Sequence, residues 1–270
     1  MPIRSFGGPH AIDVETAAPE GATNCYVVDD EAALLVDPAG RDEGLETLLQ
    51  DAGVDVGHVA VTHHHPDHVG AVAWVAEATD ATVWCRTGRE RAFEGATGVA
   101  ADRTFHEGTR IETGNGAVTV LDTPGHAPEH VAFSFSDPEG AGEAVLSGDL
   151  AVAEGSVVVG APEGDLRAYL TSLRRLHARH PDRLLPGHGP VVGTPRETLR
   201  RLLGHRLDRE ERVLTAVGSG ARTVGEVTDA AYEKDVSHVR SLAEATVRAH
   251  LEKLAVEARV VFDGERATPT

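Results

Sequence analysis

The chain is predicted to be an α/β protein, with a core domain over residues 1–204 and a small helical domain over residues 205–270. Three observations lead there. Before residue 204, short apolar runs of strand length alternate with stretches whose apolar residues recur at helical spacing. After residue 205, strand signals nearly vanish. Several of the apolar runs end in a loop that carries His or Asp beside glycine, and strand-end loops are where α/β folds tend to place their chemistry.

Taken in order, Leu34-Leu35-Val36 reads as a buried strand ending at Asp37-Pro38. Asp42–Ala52 follows with helical spacing. Val59-Ala60-Val61 is a second strand end, and Ala71–Ala78 the next helix. Val118 to Leu121, Ala144 to Leu146 and Leu184-Leu185 are three further strands, with a helix over Asp165–Arg179 before the last. Leu199–Leu214 is expected to run as a helix joining the two domains. After residue 205, Arg209–Val217, Val224–Tyr232 and Leu242–Leu254 each show helical spacing. Thr223 and Ser241 are candidate N-caps, with Glu226 and Glu244 three residues on as in a capping box. Arg259 to Phe262 reads as a strand turned at Asp263-Gly264. Three helices and a short β element predict a winged-helix-like domain.

Residues 62–68, Thr-His-His-His-Pro-Asp-His, say most about function. His63, His65, Asp67 and His68 place three imidazoles and a carboxylate within six positions. That donor set suits zinc, with iron or manganese as alternatives. One local run rarely wraps a single ion with all four groups. Alternate residues point opposite ways, so His63 and His65 are expected to face one ion, and Asp67 and His68 a second. A surface histidine patch is the bland alternative in a chain with 15 histidines. Three more strand-end loops argue against it: Thr123-Pro124-Gly125-His126, Ser147-Gly148-Asp149 and Pro186-Gly187-His188-Gly189. Glycine in each lets backbone approach a ligand closely.

With these motifs in order over roughly residues 20–195, the chain resembles a metallo-β-lactamase-fold hydrolase, which implies an αββα sandwich. The resemblance implies that His63, His65 and His126 hold one metal, that Asp67, His68 and His188 hold a second, and that Asp149 bridges them. It also implies that Asp37 braces the site without ligating. Each ion would keep an open position for water or substrate. The stretch from Gly148 to Ser156, the helix from Asp165, the Pro-Gly-His-Gly-Pro turn and the C-terminal helical part are similar to the β-lactamase-like-protein-2 group. That group includes a mitochondrial endoribonuclease acting on single-stranded RNA.

Composition bounds the alternatives. No stretch approaches the ~20 apolar residues of a membrane span, and Met1-Pro2-Ile3-Arg4 opens no signal-peptide-like run. Cys25 and Cys85 are expected as buried thiols, which fits a cytoplasmic location. The net charge is −18 with 25 basic residues, only two of them lysine (Lys234 and Lys253), a balance that predicts a halophilic setting. Residues 205–270 hold 12 acids against 10 bases, which leaves 31 against 15 in residues 1–204. In molar salt the Debye length falls to ~3 Å, so self-repulsion is screened.

The expected activity is hydrolysis in which a metal-bridging hydroxide attacks a carbonyl or phosphoryl centre. Asp67 is the candidate to orient it, and His130, four residues after His126 and expected on the same helical face, to polarise substrate or support the ligands. Asn24 and Tyr26 are candidates to line the pocket. His64 is expected to point away from the metals, and His205-Arg206 to lie at the domain interface. A small thioester- or lactone-like substrate is favoured over single-stranded RNA. RNA needs a basic track or stacking platforms, and aromatics are 4% of the chain. The third class is a metal-binding redox or regulatory protein. For the C-terminal domain, packing or homodimer contact is favoured over duplex binding, because it lacks a basic stripe.

Overall fold

The computed structural model describes residues 3–5, 22–50, 53–114, 116–136 and 142–270. Six strands form the first sheet in chain order: β1 (Ile3–Ser5), β2 (Tyr26–Val28), β3 (Ala33–Val36), β4 (Val56–Ala60), β5 (Thr82–Arg86) and β6 (Arg103–Phe105). Strands β3 to β6 run parallel, and β1 to β3 antiparallel. The second sheet has the order β11-β10-β9-β8-β7, from β7 (Arg110–Thr113), β8 (Gly116–Asp122), β9 (Val131–Ser136), β10 (Glu143–Gly148) and β11 (Arg183–Pro186).

Side-chain alternation along the strands builds the layers. Tyr26, Val28, Leu34, Val36 and Ala60 meet Val118, Val120, Phe133, Phe135 and Leu146 between the sheets. Val27, Leu35, Val59, Val83 and Cys85 face the other way, onto α1 (Glu43–Gln50), α3 (Val72–Ala78) and α4 (Glu90–Thr97). A single turn, α2 (Pro66–Val69), precedes α3. Leu121, Ala132, Val145 and Leu184 face outward from the second sheet onto α5 (Leu166–Arg179) and α6 (Pro195–Gly218). This is the expected α-β-β-α sandwich. It explains why β3 reads as Ala-Leu-Leu-Val without alternation: both its faces are covered. Each fully buried leucine such as Leu34 or Leu35 contributes roughly 1.5–3 kcal/mol. Cys25 and Cys85 are both buried free thiols.

The 204/205 boundary falls inside α6, a single helix of 24 residues. Its first half gives Leu199 and Leu202 to the sandwich core. Its second half gives Val213, Ala216 and Val217 to a separate core with α7 (Val224–Ala231), α8 (Arg240–Val256) and the hairpin β12 (Val260–Phe262)–β13 (Ala267–Pro269). Thr223 caps α7 through a full capping box with Glu226. Ser241 does not cap α8. The helix begins at Arg240, two residues before Leu242, after a short turn over Ser237–Val239. Arg240 reaches Asp229, Glu244 and the Gly225 carbonyl, which draws the start back to residue 240 and takes up the Glu244 carboxylate. Among the described residues, no helix is long and apolar enough to cross a membrane.

Candidate metal centre

The candidate residues gather at the C-terminal ends of β4, β8, β10 and β11. Asp37, just past β3, organises the first loop from left-handed backbone at φ 53°. Asp37 Oδ1 accepts the Thr62 amide at 2.6 Å. Its Oδ2 accepts the Thr62 hydroxyl at 2.8 Å and His68 Nδ1–H at 2.9 Å. With its proton committed to Asp37, Thr62 Oγ1 accepts from His63 Nδ1 at 3.0 Å. That fixes the tautomer and leaves His63 Nε2 with a bare lone pair. The Val158 carbonyl does the same for His126, taking Nδ1–H at 2.7 Å.

Three ring nitrogens converge. His65 Nδ1 lies 3.0 Å from His63 Nε2 and 2.9 Å from His126 Nε2. At most one proton, that of His65, can lie among them, so the cluster is short of an electrophile. Burial first, then the neighbouring histidines, holds His63 well below the usual imidazole range. His126 is lowered too, by burial first, against the pull of Asp149. Neutral imidazoles with fixed tautomers are what a metal requires.

A second group lies beside the first. His188 Nδ1 donates to the Ala22 carbonyl at 2.7 Å, which turns Nε2 inward to 3.5 Å from Asp67 Oδ2 and 3.4 Å from Asp149 Oδ1. His68 Nε2 lies 3.7 Å from Asp149 Oδ1 and 3.9 Å from Asp67 Oδ2. Asp149 reaches toward both groups, since its Oδ2 is 3.4 Å from His126 Nε2. Burial opposes charge on Asp149, but His188, His68 and His126 outweigh it and hold the carboxyl far below its usual range. On His68, burial is outweighed by Asp37, Asp149 and Asp67, and its pKa rises to about 9.

The donor sets that could hold an ion are therefore His63–His65–His126, His63–His68–Asp149 and Asp67–His68–His188. The residues fit metal ions on a further ground. His68 Nε2 and Asp149 Oδ1 are buried without a hydrogen-bond partner, a costly state unless a cation takes them. Gly187 keeps that space open, because a Cβ there would sit 2.7 Å from Asp149 Oδ1 and 2.8 Å from His68 Cε1.

Such an array on this sandwich points to one family, and the sequence agrees: the model of the metallo-beta-lactamase superfamily matches residues 18–188. The chain belongs to the metallo-β-lactamase superfamily. Its members are generally metal-dependent hydrolases. The chain is 27% identical over 253 residues to "Beta-lactamase-like protein 2 homolog" of Drosophila melanogaster, covering 88% of this chain and 84% of that one. It is 26% identical over 254 residues to "Atrochrysone carboxyl ACP thioesterase" of Passalora fulva, covering 89% and 73%. TTHA1623, solved in a di-iron-bound form, is 37% identical with a TM-score of 0.54, over 65% of this chain and 91% of that chain.

Within this superfamily site, several residues sit differently from expectation. His126 and His130 do not share a helical face, since residues 126–130 form turns. His130 is fully buried and both ring nitrogens are engaged. Its Nε2 accepts the Asp149 amide at 3.0 Å, so Nδ1 carries the proton and meets Thr123 Oγ1 at 2.8 Å. Burial, then His126, lowers its pKa to about 3. His130 is thus held between Thr123 and the Asp149 backbone. Asn24 and Tyr26 brace the His188 loop: Asn24 Nδ2 donates to the Pro186 and Gly189 carbonyls at 3.0 and 2.8 Å, and the Tyr26 hydroxyl to Pro186 at 2.8 Å. His64 turns away as expected, against Phe93 and near Glu129. Arg206 is buried over the Tyr169 ring, at 5.1 Å, where α6 meets α5. Sequence reasoning missed Glu163, whose Oε2 lies 3.2 Å from His65 Nε2. Its only signal is a loop flanked by Pro162 and Gly164.

Proposed function

We propose that the chain is a dinuclear metal-dependent hydrolase of small thioester- or lactone-like substrates. The observation that carries the reading is the pair of converging donor sets, with His68 Nε2 and Asp149 Oδ1 buried and unsatisfied. His63, His65 and His126 would hold one ion, Asp67, His68 and His188 the other, and Asp149 both; zinc is the first choice, with iron or manganese as alternatives. When bound, adjacent metal ions lower the pKa of water and polarise a substrate carbonyl. The chain's own groups arrange the rest. Asp67, partly exposed, would orient the attacking water. His130 locks the Asp149 backbone, and Asp37 locks His68. The Passalora relative's name, a thioesterase, supports the thioester side. The net charge of −18 disfavours a polyanion.

The test is metal-loaded protein in molar salt on panels of thioesters, lactones, phosphodiesters and single-stranded RNA. Turnover of a thioester or lactone, abolished by chelator and by His68→Ala, is expected. RNA cleavage that vanishes in His68→Ala, with no carbonyl substrate turned over, reverses the ranking.

A further inference from the structure

The two donor sets are supported by different parts of the molecule. The Asp67–His68–His188 set is braced from within the sandwich, by Asp37 on His68 and by the Ala22 carbonyl on His188. In the three-histidine set, His63 is also held from within, through Thr62. The other two histidines meet a single connection, residues 152–165, between β10 and α5. His126 Nδ1 donates to the Val158 carbonyl at 2.7 Å. His65 presents its outer nitrogen to the half-exposed Glu163, at 3.2 Å.

That connection is tied to the C-terminal helices. Arg201 of α6 donates to the carbonyls of Val152, Ala153 and Gly155. Arg206, one turn on and buried, donates to the Val157 carbonyl while stacking on Tyr169. The Ala161 amide donates to the Ala245 carbonyl of α8 at 3.0 Å. Gly160 lies so close to α8 that a Cβ there would come 2.9 Å from Ala245 Cβ. The path from C-terminal helix to ligand is therefore continuous: α6 and α8 hold the connection, and the connection holds His126 and His65.

We infer that Glu163 is a positioning residue for the three-histidine metal set, and that α6 and α8 set the geometry of that set alone through residues 152–165. The inference rests on the reading that His63, His65 and His126 hold a metal. A carboxylate against the outer nitrogen of a ligating histidine fixes the ring and raises its basicity, and loss of such a partner weakens metal binding by about 10- to 100-fold. The C-terminal helices thereby acquire a role that packing alone does not give them.

The experiment is chelator competition on the full chain loaded with two ions, following release of each ion, for wild type, Glu163→Gln, Glu163→Asp and Arg201→Gln. Arg201 is exposed, so its variant keeps α6 packed; hydrogen exchange reports on residues 152–165, and melting confirms the fold. Glu163→Gln should release one ion about 10-fold or more ahead of wild type, with the second ion unchanged. Glu163→Asp should recover part of the loss. Arg201→Gln should loosen residues 152–165 and shift the same ion in the same direction. Biphasic release with Glu163→Gln at wild-type values overturns the assignment, as does equal weakening of both ions or a shift confined to the Asp67–His68–His188 ion. A wild-type chain that takes up no metal overturns the reading of the site itself, a result none of the variants can imitate.

Discussion

At the scale of single residues, Asp37 is the group on which most of the site's order depends. Its two oxygens satisfy the Thr62 amide, the Thr62 hydroxyl and His68 Nδ1–H, all buried. Asp37→Ala leaves these donors without an acceptor, and each orphaned buried group costs about 1–3 kcal/mol. The variant is expected to lose roughly 3–5 kcal/mol in urea unfolding. An unchanged midpoint would mean that Asp37 is not the brace. The histidines and aspartates at the strand ends were legible because the close spacing of His63, His65, Asp67 and His68 and the glycine-flanked donors after later apolar runs are local patterns. Thr62, Thr123 and Glu163 were not, since Asp37, His130 and His65, which they meet, lie 25, seven and 98 positions away. His130 was legible as a neighbour of the site. Its partner was not, because the Asp149 amide that occupies Nε2 comes from β10's end, 19 residues on.

At the scale of elements, periodicity located the strands and helices of the sandwich because each presents one pattern to one core. It read Leu199–Leu214 and Arg209–Val217 as separate stretches where the structure has one helix, because Gly204 alone does not break a helix whose two halves serve different cores. It misplaced the α8 cap because the Arg240 contacts lie outside any local pattern. The α6–α8 contact also carries a pH dependence. His250 of α8 is fully buried, facing Arg206 and Arg209 of α6, Lys253 of α8, and His205. Burial, then these cations, holds its pKa well below the usual imidazole range. The unfolded chain therefore takes up this proton first. The stability it contributes is present above pH ~6.5 and is lost as pH falls below it. Thermal melts of wild type and His250→Leu should differ by a constant amount above about pH 7, with wild type falling faster toward pH 5.5. Parallel curves across that range would contradict the assignment.

At the scale of the whole molecule, charge and fold divide the question of substrate. The acidic surplus lies in residues 1–204, which also carry the donor sets. Screening in molar salt removes repulsion and attraction alike, so a polyanion gains nothing from the field while a small ester is indifferent to it. That the chain mixes strands and helices was readable from alternation, and the αββα arrangement from the family resemblance; the pairing of two donor sets about Asp149 required the two sheets to bring β4, β8, β10 and β11 to one end. The central claim is that this convergence holds two ions at once. Elemental analysis of protein purified without chelator tests it most directly, alongside Asp149→Ala. The account predicts close to two transition-metal ions per wild-type chain and a reduced load in Asp149→Ala. One ion or none in wild type, or a full load that survives Asp149→Ala, would contradict it.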